Sequence, residues 1–243
     1  MMKCIGIVCE GPTDFIILKA VINRITGEKN RYLLLQPENS VDGKCGSGWK
    51  GVWKWCHDNA LSRRKLMRDV EPALDFLVVH LDGDVSRKEK PSHCCCENTH
   101  CDQKGRVNPL ECDIIPERRA ACPIMLPCPD HEPSITGYIS HLKGLVTAWL
   151  DYPDDTCIAI PCDSIEAWIV AAFDQTAAIE LCEDPWLHII SRGKEYHDIR
   201  IHGKKKHRDT FDKLAPTVCQ NWPKVTELCQ SALDFERSIL ELI

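Results

Sequence analysis

The chain has 243 residues, of which 44% are hydrophobic and 27% charged, a composition that suits one large domain or one domain with a substantial insertion. Its formal net charge of −6 argues against a uniformly basic nucleic-acid-binding surface, although local basic patches remain. No apolar run is long enough to cross a bilayer, and the N-terminal run is too short for a secretory signal. With 16 cysteines in such a chain, we expect a cytoplasmic protein with reduced thiols and no membrane association.

The first predicted element is a buried strand over residues 3–9, followed by a helix that runs to about Thr26. Thr13 is the expected N-cap of this helix. Glu10 lies at the carboxyl end of the strand, and Asp14 lies in the first helical turn. The two acidic residues are candidates for a site at the edge of the sheet, because ligands of open α/β sheets bind beyond the carboxyl ends of strands. The alternative is that they only cap the helix.

A second strand is predicted over residues 32–35 and a helical stretch over residues 53–70. The apolar run that starts at Phe76 then predicts another strand buried on both faces. It ends in Asp82-Gly83-Asp84, which places two carboxylates at the carboxyl end of a strand, as Glu10 is after the first strand. Paired carboxylates suit a hard cation such as Mg²⁺. The alternative is an ordinary Asp-Gly turn.

Residues 85–131 interrupt the alternation of strands and helices with a polar, proline-containing and cysteine-rich segment. So long a segment needs something to order it, and Zn²⁺ bound by thiolates and imidazoles is the simplest means. We expect a structural Zn²⁺ site, with a reactive disordered loop as the alternative. The candidate ligands are Cys96, Cys101, Cys112, Cys122, Cys128 and His131.

After a helix over residues 133–150, the apolar run at residues 156–160 predicts another buried strand. Glu166 follows in the first turn of the next helix, where it adds an acidic group to the same edge or merely complements the helix dipole. The remaining chain is predicted to be helical. Its basic stretch at residues 200–208 is either a solvated loop or a group of cations that contacts phosphate.

Together these motifs resemble a TOPRIM domain, and in particular the OLD-type (overcoming lysogenization defect) nucleases and the small stand-alone TOPRIM proteins of bacterial anti-phage systems. The motifs that carry the resemblance are Glu10-Gly11-x-x-Asp14, Asp82-Gly83-Asp84 and Ser164-Ile165-Glu166. The resemblance implies an α/β fold with a mostly parallel sheet flanked by helices. Residues 1–173 would form the TOPRIM-like domain, with the cysteine-rich insertion at 85–131. Residues 174–243 would form a helical C-terminal region packed on it.

The resemblance also implies the roles of individual residues. Glu10 matches a metal ligand or general base, and Asp82, Asp84 and Glu166 match the other ligands of Mg²⁺ or Mn²⁺. The remaining catalytic candidates are Asp14, which matches the second acid of the first motif, and a lysine within residues 204–206, either Lys204 or Lys206. The insertion is a departure from the family pattern, and its position directly after the paired aspartates puts substrate access in question.

The expected activity is therefore metal-dependent hydrolysis of phosphodiester bonds in DNA or RNA, tRNA included. The resemblance implies an effector of anti-phage defence that acts with a separate ATPase, and the chain itself has no P-loop sequence. The alternative from another class is a non-catalytic, zinc-containing subunit that binds nucleic acid or a partner protein. Primase or topoisomerase chemistry is a weaker alternative, and the sequence leaves a homo-oligomer open.

Overall fold

The computed structural model describes residues 2–37, 46–86, 135–182 and 184–243. Its centre is a four-stranded sheet with the order β2-β1-β3-β4, in which every neighbouring pair is parallel. The strands are β1 (Cys4–Val8), β2 (Arg31–Gln36), β3 (Phe76–His80) and β4 (Thr156–Ala159). The coarse α/β prediction, a parallel sheet flanked by helices, is therefore confirmed.

Helices cover both faces of this sheet. Helix α1 packs closely against α7 on one face, and α2 and α4 lie together on the other. The helices are α1 (Pro12–Thr26), α2 (Gly48–Asn59), α3 (Arg63–Asp69), α4 (Ile135–Trp149), α5 (Glu166–Asp174), α6 (Pro185–Ser191), α7 (Arg208–Gln220), α8 (Trp222–Leu228) and α9 (Gln230–Leu240). Within the described ranges, no helix is both long and apolar enough to span a membrane.

The strands that carry the site are buried on both faces because they are continuous apolar runs. Every residue of β3 is buried, including His80. The core on the α1 face also contains residues from the C-terminal helices: Trp168 of α5 stacks on Phe235 of α9 with ring centroids 5.4 Å apart. The sheet and the C-terminal helices therefore share apolar contacts, and this contact surface holds α5 in place at the sheet edge.

Several element boundaries differ from the sequence predictions. The helical stretch expected over residues 53–70 is two helices, α2 and α3, and α2 already begins at Gly48. The final third is not wholly helical, because residues 195–200 form a short antiparallel hairpin of β5 (Glu195–Tyr196) and β6 (Ile199–Arg200). This hairpin returns the chain towards the sheet edge and delivers the basic stretch that follows it.

Candidate active site

Three strand ends and helix α1 bring five acidic residues to one edge of the sheet. Glu10 follows β1, Asp82 and Asp84 follow β3, and the connection after β4 leads to Glu166 at the start of α5. Because β1, β3 and β4 are neighbouring parallel strands, their carboxyl ends meet at the same edge. The fifth carboxyl group comes from Asp14 in α1, and Lys206 joins these groups from the loop between β6 and α7. We call the six residues the acidic cluster.

Glu10 is held by the backbone of two neighbouring segments. Its Oε1 accepts a hydrogen bond from the Asp82 backbone N–H at 2.7 Å, and its carbonyl oxygen accepts one from Gly48 N–H at 2.9 Å. Burial, followed by the charge of Asp84, raises the pKa of Glu10 to about 8. The carboxyl group is thus fixed in direction while its charge is poorly compensated.

Asp14 both caps its helix and belongs to the cluster. Its Oδ2 accepts from Gly11 N–H at 2.8 Å, so that Gly11, in an extended conformation, is the N-cap and the expected cap at Thr13 is wrong. Thr13 lies inside the helix because Pro12 already occupies the first turn. Even with these bonds, burial and then the charge of Glu166 raise the pKa of Asp14 to about 7. Capping alone does not account for a carboxyl group in such surroundings.

The Asp82-Gly83-Asp84 segment is tied to the connection between β4 and α5. Gly83 N–H donates to the Pro161 carbonyl at 3.1 Å, and Asp84 N–H donates to that of Asp163 at 2.8 Å. A Cβ atom at Gly83 would lie 2.5 Å from the Pro161 oxygen, and the close approach of the two segments therefore requires glycine. The segment is consequently more than an exposed Asp-Gly turn.

Asp82 itself faces the start of α5. Its Oδ1 accepts from Ile165 N–H at 3.2 Å, and its side chain is 16% exposed. Burial, with the charges of Glu10 and Asp14, raises its pKa well above the ordinary value. Asp82 therefore lies at the centre of the repulsion within the cluster.

Glu166 and Lys206 form an ion pair within the acidic cluster. The Glu166 side chain is fully buried, and its Oε1 lies 2.6 Å from Lys206 Nζ. Its Oε2 has no hydrogen-bond partner within the described residues. Burial alone would lower the pKa of Lys206, but Glu166 and then Asp82 raise it, and the ammonium stays charged. Among the predicted lysines, Lys206 enters the cluster, while Lys204 lines the adjoining cleft.

His80 is a residue of the site that the sequence reasoning did not single out. It is fully buried, with Nε2 3.4 Å from Asp82 Oδ1 and Nδ1 3.9 Å from Asp14 Oδ2. Burial and the charge of Lys206 lower the pKa of His80 to about 3, so the ring is neutral at pH 7. One signal was available: alternate residues of a strand share a face, which places position 80 on the side of position 82.

The chemistry of the donors fits a hard divalent cation. The cluster offers carboxylate oxygens, which are the ligands that Mg²⁺ and Mn²⁺ prefer. The unpartnered Oε2 of Glu166 and the raised pKa values of Glu10 and Asp14 mark negative charge that such a cation would offset. In the described part of the chain, however, no three His, Cys, Asp or Glu side chains already surround a common point closely enough to hold a metal ion. The predicted Zn²⁺ ligands, from Cys96 to His131, lie outside the described residues.

A cleft of about 410 Å³ opens beside the acidic cluster. Asp82, Asp84 and Lys206 form part of its wall, and α6 supplies the opposite side. No family model, curated protein or solved structure matches this chain. The likeness to TOPRIM proteins therefore rests on the sequence motifs alone, and the functional argument rests on the geometry of the site.

Proposed function

We propose that this protein is a metal-dependent nuclease that hydrolyses phosphodiester bonds of DNA or RNA. One observation carries the proposal: carboxyl groups from three strand ends and α1 gather at one edge of the sheet, beside a cleft, together with Lys206, which pairs with the buried Glu166. A purely structural arrangement would pair most of these carboxylates with cations, because burying unpaired charge is costly. Here the repulsion is retained, as the raised pKa values of Glu10, Asp14 and Asp82 indicate.

In this proposal, Glu10, Asp82, Asp84 and Glu166 hold one or two Mg²⁺ or Mn²⁺ ions. When bound, such an ion neutralises phosphate charge, makes water a better nucleophile and stabilises the leaving oxygen. The protein's part is to fix the ligands before substrate arrives. The Asp82 backbone N–H holds Glu10, and the Ile165 N–H holds Asp82, so both carboxyl groups are oriented by main-chain bonds.

Two further groups have roles that follow from their surroundings. The ammonium of Lys206 is permanently charged and stands at the cleft wall, where it stabilises negative charge that develops on a reacting phosphate. In the metal-free protein, burial raises the pKa of Glu10 to about 8. Its Oε1 accepts from Asp82 N–H, so Oε2 is the oxygen left for its proposed role, which is either to bind the cation or to accept the proton of the attacking water.

The wider context of the proposal comes only from the resemblance. The small stand-alone TOPRIM proteins suggest an effector of anti-phage defence that acts with a separate ATPase. The absence of a P-loop sequence within residues 1–243 agrees with an ATPase on another chain. Lack of cleavage by the isolated chain would then indicate that the partner is needed for activation.

The test is a cleavage assay with Mg²⁺ or Mn²⁺ that offers plasmid DNA and total tRNA side by side. Asp82→Asn and Glu10→Gln keep the shape of each side chain and remove its charge. The matched control is Asp154→Asn, which removes an exposed carboxylate just before β4, at the opposite edge of the sheet. We expect both cluster variants to lose cleavage and the control to retain it. Equal cleavage by the parent and Asp82→Asn would refute the site.

A non-catalytic binding subunit remains the second candidate, and one observation favours it. Lys206 already supplies a cation inside the acidic cluster, as a purely structural cluster would require. The two proposed functions predict different affinities of the protein for Mn²⁺. A nuclease site binds Mn²⁺ and loses it in Asp84→Asn, whereas a structural cluster neutralised by Lys206 does not bind it. Mn²⁺ binding without cleavage would point to a missing activator.

A further inference from the structure

The cleft beside the acidic cluster has two unlike walls. One wall carries carboxylates, including Asp82 and Asp84. The other wall is the surface of α6, where Trp186, Leu187 and Ile190 present apolar side chains. Metal binding and phosphate hydrolysis explain the first wall, but they give no reason for the second. An apolar surface a few side chains away from buried carboxylates therefore points to a part of the substrate that is itself apolar.

The apolar wall is both exposed and firmly supported. Leu187 is 53% exposed, although it lines a cleft. The preceding residue, Trp186, is only 6% exposed and stacks on Phe211 of α7, with ring centroids 5.6 Å apart. Because this contact anchors α6 to α7, Leu187 extends from a fixed helix and not from a mobile loop. Such a wall keeps its shape and can receive a flat apolar face, such as that of a nucleobase.

The charges of the cleft limit what enters it. The cleft is lined by two lysines and four carboxylates: Lys204, Lys206, Asp82, Asp84, Asp163 and Asp184. Asp184 Oδ1 already accepts from Leu187 N–H at 3.0 Å, where it caps α6. Among the described lining residues, carboxylates outnumber ammonium groups, so a cation shared between a phosphate and the acidic wall would favour its binding.

We propose that the cleft takes one unpaired nucleotide, with its phosphate at the acidic cluster and Lys204 and its base against Leu187 and Ile190. The inference rests on the proposed nuclease function and adds its substrate class, single-stranded or looped nucleic acid. A cavity of about 410 Å³ falls near the lower end of the roughly 300–1,000 Å³ typical of small-ligand sites. In an uninterrupted duplex the base faces are stacked and covered, and no face is offered to the wall unless the base is flipped out.

The experiment uses hairpin oligonucleotides of DNA and of RNA, each with a paired stem and an unpaired loop, incubated with the full chain and Mn²⁺. One molecule then offers both substrates at equal concentration. We expect the cuts to map to the loop. Binding is measured in parallel by fluorescence anisotropy with Ca²⁺, another hard cation, on a single strand and on the matched blunt duplex. The single strand should bind at least tenfold more tightly.

The variant that tests the wall is Leu187→Ser, and its matched control is Leu181→Ser. Leu181 is 62% exposed and does not line the cleft, so both changes remove an exposed leucine from the same region. Because Leu187→Ser removes apolar surface that the base would cover, we expect it to weaken single-strand binding about fivefold. Duplex binding and Mn²⁺ affinity should stay unchanged, and Leu181→Ser should match the parent in every measurement.

The outcomes separate this inference from the proposed function. Cleavage of stem and loop at equal rates, abolished in Asp82→Asn, would support the nuclease function. It would refute the proposal that the cleft binds an unpaired nucleotide. Equal effects of Leu187→Ser and Leu181→Ser would overturn it as well, as would binding to neither oligonucleotide. Absence of both Mn²⁺ binding and cleavage would instead refute the proposed nuclease function.

Discussion

The two edges of the central sheet use acidic residues in opposite ways. At the amino-terminal edge, just before β4, Asp155 accepts from Arg63 Nε at 2.9 Å, and Asp154 pairs with Arg64 at 2.6 Å. At the carboxyl-terminal edge, the described residues provide one ammonium, that of Lys206, among the five carboxyl groups of the acidic cluster. Asp154 and Asp155 thus each have a guanidinium partner, while the described part of the acidic cluster contains more carboxyl groups than cations.

The pKa values record this difference. Hydrogen bonding to Arg64 lowers the pKa of Asp154, whereas burial and neighbouring carboxylates raise those of Glu10 and Asp14 to about 8 and about 7. Carboxylates with a structural role are paired with cationic side chains of the same chain. Carboxylates that repel one another in the folded state cost stability, and such groups are characteristic of sites that bind an external cation. The comparison therefore supports the carboxyl-terminal edge as the proposed site.

Removing the single cation of the acidic cluster should have the largest effect. In Lys206→Met we expect cleavage to fall by about 100- to 1,000-fold, because a charge that stabilises the transition state is lost. We also expect Mn²⁺ to bind more tightly, because the ammonium no longer competes for Glu166. Initial cleavage rates and calorimetric titration with Mn²⁺ measure the two effects. Lys205→Met, at the exposed neighbour, is the control. Weaker Mn²⁺ binding in Lys206→Met would contradict the expected competition between the ammonium and Mn²⁺ for Glu166.

At the opposite edge, Arg63→Met should destabilise the fold and leave the site unaffected. It removes the partner of Asp155 and the donor to the Leu150 carbonyl, which accepts from Arg63 Nη1 at 2.6 Å. Because the largely buried Asp155 then keeps a guanidinium only at the longer distance of 3.6 Å, from the exposed Arg64, we expect the free energy of unfolding in urea to fall by about 3 kcal/mol. Arg64→Met, at an exposed position, should change it little. Similar losses in the two variants would show that burial is not what gives Arg63 its importance.

The convergence of acids at one edge could be predicted from the sequence for a simple reason. The strands β1, β3 and β4 are apolar runs with an acidic residue soon after each, and parallel strands place such residues together. The expected coarse fold follows from the same runs. The missed break between α2 and α3 has a physical cause as well: Ala60, Leu61 and Ser62 contain no glycine or proline to mark it.

The remaining features depend on contacts that residue type alone does not encode. The alternation along β3 places His80 on the side of position 82, and only the packed structure shows Asp14 beside it as well. Lys206 enters the acidic cluster because it pairs with Glu166 at the start of α5. Thr13 was a reasonable cap by residue type, but the Asp14 carboxylate bonds to Gly11 instead. Long-range packing decides the cases of His80 and Lys206, whereas a contact between residues three positions apart decides that of Thr13.

Neutralising one member of the acidic cluster should stabilise the metal-free protein. In Glu10→Gln, with EDTA at pH 8.5, we expect the free energy of unfolding to rise by about 2 kcal/mol. The pKa of Glu10 is raised in the folded state, so its favourable contribution is complete below about pH 4.5 and is lost as the pH rises through about 8. The parent should therefore lose stability as the pH rises from about 4.5 to about 8, and Glu10→Gln should lose less. Urea unfolding at several pH values measures both slopes, and parallel slopes would contradict the assignment.

The smallest expected effect is the stabilisation of the parent by its own metal. A ligand that binds only the folded state adds about 1.4 kcal/mol when its concentration is ten times its dissociation constant. Mn²⁺ should therefore raise the urea midpoint of the parent and of Asp154→Asn, which changes only the amino-terminal edge. Asp82→Asn should show no such rise, because it removes a carboxylate from the centre of the cluster. If Mn²⁺ stabilised all three proteins equally, the cation would be binding elsewhere, and the difference between the two edges would be one of pKa alone.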